Sequence, residues 1–116
     1  MTAEDCLFCK IIAGDLPSDQ LFKYGDITAF RDINPVAPVH VLIVPNKHIA
    51  SVSELDDEDG PLVGRLFTAA RDLAEQEKIA APGYRLIINN GADGGQVVYH
   101  LHLHLIGGQK MRYPMG

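Results

Sequence analysis

Apolar and polar positions alternate most regularly near the C-terminus, where Tyr99-His100-Leu101-His102-Leu103-His104-Leu105-Ile106 repeats with a period of two. A strand sends successive side chains to opposite faces, so the pattern predicts a strand with Leu101, Leu103 and Leu105 in a core and His100, His102 and His104 in a row on the other face. Further stretches read as strands. Gln20–Tyr24 and Ile27–Ile33, separated by Gly25-Asp26, have the form of a hairpin. His40–Pro45 is an apolar, β-branched run suited to a central strand, and Tyr84–Ile88 follows the turn signal Pro82-Gly83. The main helix starts at Asp56-Asp57-Glu58-Asp59, whose charges suit the positive end of a helix. It carries Pro61 in its first turn and repeats Leu62, Leu66, Phe67, Ala70, Leu73 and Ala74 at helical spacing, ending before Pro82. Cys6–Ile12, stopped by Gly14 and Pro17, supplies one or two helical turns. The expected fold class is α+β, an antiparallel sheet of about five strands with one main helix.

Composition narrows the partners. The chain has 116 residues and reads as a single domain spanning 1–116, with 47% hydrophobic and 22% charged residues. Its net charge is −5 and its ten Lys and Arg are scattered, which argues against nucleic acid and against a polybasic membrane patch. Any anionic ligand has to be held by local groups. The first residues are acidic where a signal peptide needs basic ones, and no apolar run has transmembrane length, so a cytoplasmic protein with reduced thiols is expected.

The candidate chemistry lies at the histidines. Three of the five in the chain share one predicted strand face, directly after the glycine-rich loop Asn89-Asn90-Gly91-Ala92-Asp93-Gly94-Gly95-Gln96. Imidazole near neutral pH serves as nucleophile, acid, base or metal ligand, and glycines let backbone N–H groups approach an anion, so phosphate chemistry is the first expectation. His40 opens the central strand after the stiff linker Asn34-Pro35-Val36-Ala37-Pro38. Cys6-x-x-Cys9 is compatible with buried thiols, a redox couple or half of a zinc site.

The segment His100–Ile106 matches the His-φ-His-φ-His-φ-φ signature (φ, hydrophobic) of the histidine triad family. Nearly the whole chain resembles its nucleotide-binding Hint branch, through Phe8–Ile12, Phe30–Pro35, Ala37–His40, Pro45–Ile49, Asn89–Gln96 and Gly107-Gly108. The resemblance implies hydrolysis of purine nucleoside 5′-phosphoramidates through a covalent nucleotidyl-histidine. His102 would be the nucleophile, its ring oriented by the strand carbonyl near His100, with His40, His104 and the N–H groups around Gly95 as stabilisers and proton donors. Nucleotide contacts would come from Phe8, Ile11, Phe30, Asp32, Ile33, Leu42, Asn89, Gly95, Gln96, Val97, His102 and His104, with Asp32 on the ribose hydroxyls and Asn89 at the phosphate end. A structural zinc would be held by Cys6, Cys9, His48 and His100, with no catalytic metal or organic cofactor, and the protein would be a homodimer with its sheet continued across the interface. Alternatives are a nucleotide-binding module with low turnover and a metal-dependent hydrolase built on the histidines. Two positions depart from the pattern. Val97 stands where a hydroxyl residue is common, and Tyr113 stands where the best-known relatives carry tryptophan.

Overall fold

The computed structural model describes residues 5–112 and 114; Tyr113, singled out above, lies outside the described residues. Its strands are β1 (Gln20–Tyr24), β2 (Ile27–Arg31), β3 (Val39–Pro45), β4 (Tyr84–Ile87) and β5 (Leu103–Gly107), and its α-helices are α1 (Leu7–Ala13) and α2 (Gly60–Gln76). The strands form one sheet in the order β1-β2-β3-β5-β4, and every neighbouring pair is antiparallel. β3 is central and both its faces are covered, which explains a sequence that is apolar without alternation. Val41 and Ile43 join Ile27, Ala29, Leu103 and Leu105 beneath α2. Leu42 and Val44 face the other way, joining Phe30 and the α1 residues Phe8 and Ile11.

The buried stripe of α2 is Leu62, Leu66, Ala69, Ala70, Leu73 and Ala74. Phe67, expected in that stripe, is instead 42% exposed, because it sits about 100° around the helix from Leu66 and so leaves the buried face. A 3-10 turn at Asp57–Asp59 leads into the helix, and Arg65 pairs with Asp26 to tie the helix to the β1–β2 turn. Past the last turn, Glu77 accepts from Arg31 at 2.6 Å, joining the helix end to β2. Helix α1 stops at Gly14, whose φ of +84° lets its N–H reach back to Ile11.

The last strand is shorter than its sequence pattern predicts. β5 begins at Leu103, so His100 and His102 precede it rather than lying on it. The backbone there has other partners: Leu101 N–H donates to the Ile49 carbonyl at 2.7 Å, and the His100 carbonyl is taken by the His102 ring. The leucine alternation survives, since Leu101, Leu103 and Leu105 are all buried in the main core. The three histidines lie on the side opposite those leucines, His100 and His102 both against Phe8 and His104 beside His102, but at different depths. His100 is turned inward to complete burial, while His104 stays half-buried at the surface of the sheet.

Candidate active site

Sheet register sets the floor of the site. Phe30 pairs with Leu42, and Leu42 pairs with His104, so the three side chains run in one row across β2, β3 and β5. Helix α1 closes over this row and presents Phe8 edge-on to Phe30, with ring centroids 5.3 Å apart, and edge-on to His102 at 5.2 Å. The result is a cavity of about 550 Å³ lined by Phe8, Ile11, Phe30, Asp32, Ile33, Leu42, Asn89, Gly95 and Val97, together with His40, His102 and His104. Ile33 and Val97 stand at its mouth, 88% and 86% exposed. Apolar walls with a few convergent polar groups are the usual make-up of a small-molecule site.

Hydrogen bonds assign the protons on the three catalytic candidates. His102 Nδ1 lies 2.7 Å from the His100 carbonyl; only an N–H bonds to a carbonyl, so Nδ1 is protonated and Nε2 keeps a lone pair. His40 Nδ1 accepts from the Val36 N–H at 3.2 Å, so its proton is on Nε2. That Nε2–H points at His104 Nδ1, 2.9 Å away, and makes it an acceptor. With that bond made, His104 offers Nε2–H to the cavity it lines. Burial holds all three rings below their ordinary pKa. For His104, burial with His102 and His40 nearby pushes the value down to about 4. The carboxylate of Asp32 opposes the shift at each ring. All three are neutral at pH 7, which an attacking imidazole requires.

A second cluster lies directly behind the first. Cys6 Sγ is 3.3 Å from His100 Nδ1, Cys9 Sγ is 3.5 Å from the same nitrogen, and Cys9 Sγ is 3.3 Å from His48 Nδ1. A tetrahedral centre with metal–sulfur bonds of about 2.3 Å and metal–nitrogen bonds of about 2.0 Å has sulfur–nitrogen edges of about 3.5 Å. The observed separations fit. The tautomer fits too, because His100 Nε2 donates to the Pro45 carbonyl at 2.7 Å and leaves Nδ1 unprotonated toward the sulfurs. The Cys9 N–H donates to Cys6 Sγ at 3.3 Å. Burial and the adjacent Cys6 push the Cys9 thiol up to about 11, so two ionised sulfurs here call for a cation between them. Asp32, His40 and His104 also bring ligand-type atoms together, but the Val36 N–H occupies His40 Nδ1, and a metal on His40 Nε2 would force a proton onto that same nitrogen. Of the two groups, only the cysteine-containing one is set for metal.

The loop before the triad differs from its expected role. Gly95 N–H donates to the Ala92 carbonyl and Gln96 N–H to the Gly91 carbonyl, both at 3.0 Å, so these donors close the loop on itself instead of facing a ligand. Gln96 is buried and does not line the cavity. Its side chain accepts from Gly91 N–H and donates to the Ala50 and Val98 carbonyls, which holds the loop in place. Asn89 donates to the Gly94 carbonyl at 2.8 Å. At Gly94 a side chain would collide with the Asn90 carbonyl, so the tight turn requires glycine there. Two further contributors, the Val36 N–H and the Pro45 carbonyl, leave no mark in the residue pattern. Both are backbone groups, invisible in side-chain pattern, although the prolines around Val36 marked that backbone as stiff.

Similar proteins agree with this geometry. Residues 13–111 match the HIT domain. The chain is 49% identical over 109 residues to the purine nucleoside phosphoramidase of Escherichia coli (strain K12), covering 94% of this chain and 92% of that one. The crystal structure of a HIT family hydrolase from Legionella pneumophila superposes with a TM-score of 0.94 at 47% identity, covering 97% of this chain and 100% of that one. A histidine triad protein from Clostridium difficile gives 0.93 at 39% identity, covering 97% and 98%. With residues 13–111 matching the HIT domain and 49% identity to a relative over 94% of its own length, the chain belongs to the HIT domain family.

Proposed function

We propose that this protein is a purine nucleoside phosphoramidase, a hydrolase of the P–N bond in nucleoside 5′-phosphoramidates. The observation that carries the proposal is the proton arrangement. His102 is tied through Nδ1 to a backbone carbonyl with Nε2 open, beside a His104 whose Nδ1 is the nearer acceptor for the His40 proton, an arrangement that favours Nε2–H on His104. The 49% identity to a purine nucleoside phosphoramidase supplies the substrate class.

The lone pair on His102 Nε2 attacks phosphorus. The P–N bond breaks with its electron pair on the leaving nitrogen, which takes the proton from His104 Nε2. The His102 ring, now bonded to phosphorus and still protonated at Nδ1, carries a positive charge that offsets the proton lost from His104 at a ring separation of 4.9 Å. Water then attacks the nucleotidyl-histidine, returns a proton to His104 and releases the nucleoside monophosphate. Splitting one displacement into two is the gain from covalent catalysis. In this reading Phe8, Ile11, Phe30, Ile33 and Leu42 hold the purine, Asp32 accepts from the ribose hydroxyls, and Asn89 and Gly95 border the phosphate.

Cys6, Cys9, His48 and His100 would hold a structural zinc. When bound it cross-links the N-terminal segment, the loop after β3 and the segment before β5, and it takes no part in the reaction. The working form is proposed as a cytoplasmic homodimer, a reading supported by β4, an edge strand of the described sheet able to continue it into a second copy. The test is to offer adenosine, guanosine, cytidine and uridine 5′-phosphoramidates of one amine, with and without chelator, and to analyse quenched reactions by mass spectrometry. Faster release of the purine monophosphates, a nucleotidyl adduct on His102 and persistence of turnover in chelator are expected. An adduct elsewhere, or none with burst kinetics absent, rejects the mechanism.

A further inference from the structure

Asp32 has a place in the proton arrangement that ribose binding alone does not explain. Its Oδ1 accepts from the Asn34 N–H at 2.8 Å, and its Oδ2 lies 3.5 Å from His40 Nε2. That nitrogen carries the one ring proton of neutral His40, since the Val36 N–H blocks Nδ1. The proton therefore has two acceptors in reach, His104 Nδ1 at 2.9 Å and the Asp32 carboxylate. If it turns to Asp32, nothing holds His104 as the Nε2–H tautomer, and the ring is free to present a lone pair to the cavity where the leaving nitrogen needs a donor.

We infer that Asp32 couples sugar recognition to proton delivery: ribose hydroxyls donating to its carboxylate remove the competing acceptor and commit the His40 proton to His104. Asp32 is then a positioning residue for the chemical step as well as a sugar ligand. The inference rests on the proposed hydrolase activity and on the placement of ribose at Asp32. Its consequence is that the hydroxyls raise kcat, not merely lower KM. Binding energy from a remote part of the substrate is thereby used at the reacting centre.

The experiment compares adenosine 5′-phosphoramidate with its 2′,3′-dideoxy counterpart, carrying the same amine, in wild type and in Asp32→Ala. In wild type the dideoxy substrate should lose about tenfold in kcat at saturation, which corresponds to about 1.4 kcal/mol in the barrier. In Asp32→Ala the competing acceptor is gone, so the dideoxy substrate should turn over faster than in wild type, while KM for the ribose substrate rises. Histidine-labelled protein gives a readout independent of turnover: 15N shifts of His104 should show Nε2 protonated and Nδ1 bare on adding adenosine, and a tautomer mixture with 2′,3′-dideoxyadenosine. Equal kcat for the two substrates in wild type, or no gain for the dideoxy substrate in Asp32→Ala, overturns the coupling while leaving the hydrolase intact. Absence of turnover with the ribose substrate overturns the hydrolase assignment itself.

Discussion

The two imidazole clusters stand back to back, separated along the chain by the single residue Leu101, and they have opposite chemistry. In the rear cluster the ring nitrogen tied to backbone is Nε2, as His100 binds the Pro45 carbonyl and leaves Nδ1 toward two sulfurs. In the front cluster the tied nitrogen of His102 is Nδ1, and Nε2 is left toward the cavity. In the proposed reading one residue type thus serves as metal ligand or as nucleophile according to which nitrogen a main-chain carbonyl claims. His40 adds a third case, in which a backbone N–H claims the ring as acceptor and passes the donor role down the row. The clusters are linked, since the carbonyl that orients His102 belongs to His100.

Separating the clusters experimentally tests this division. The largest effect should come from His102→Gly, which removes the open Nε2: turnover should fall by at least about 10⁴-fold, the scale seen when a covalent nucleophile is lost. Its far-UV CD spectrum and metal content should match those of wild type. Comparable activity in the two proteins would dissolve the contrast. The complementary change is Cys9→Ala. Removing a ligand of a closed metal centre should lower Tm by about 10 °C or more, because binding energy there is folding energy. The kcat of the protein that remains folded should stay within about tenfold of wild type, given that the ligand set reaches His102 only indirectly, through the His100 carbonyl and through Phe8 between the two cysteines. Immediate loss of turnover with Tm unchanged would place the metal in the reaction.

A smaller effect follows from the neutral front row. His40 and His104 have folded-state pKa values below the ordinary 6.5, with His104 at about 4 and burial the main cause in both. The unfolded chain therefore takes up more protons as the solution is acidified. The stability these rings contribute is complete above pH 6.5 and is lost as pH falls toward 4. Thermal melts from pH 7.5 to 4.5 should show the decline, and His104→Gln, which keeps a polar side chain without the titration, should flatten it. An unaltered acid slope in that variant would remove His104 from the balance.

Most of the sheet was legible because its strands carry their burial in their composition. β3 reads as central through its unbroken apolar run, and the hairpin of β1 and β2 through the turn at Gly25-Asp26. What period-two alternation could not convey is where strand pairing begins. Leu101, Leu103 and Leu105 alternate into the core whether or not the backbone is hydrogen-bonded in a ladder, so His100 and His102 looked like strand residues. Phe67 was misplaced for a related reason: helical spacing admits Leu66 and Phe67 side by side, and only packing shows which lies on the stripe. Family resemblance named the residues of both clusters. Their division of labour depends on Val36 N–H and the carbonyls of Pro45 and His100, which belong to no side chain. Gln96 shows the same limit from the other side, a polar residue in a phosphate-like loop whose amide is consumed by the loop itself.

The separation of paired residues along the chain has a consequence for the order of folding. Cys6 meets His100 across 94 residues, and His40 meets His104 across 64. Doubling a loop adds only about 0.6 kcal/mol to its closure, so the folded state is little penalised by such distances. Contacts this remote in sequence nonetheless form slowly, and synthesis at about 5–20 residues per second presents the N-terminal partner well before its mate. Until the segment from His100 to Gly107 emerges and docks against β3, a nascent chain holds two thiols and His48 without the His100 ring they meet, and an apolar α1 without the histidines it covers. Docking of that one segment assembles both clusters together, so, in the proposed reading, a partly made chain has neither the closed metal site nor the reactive imidazole.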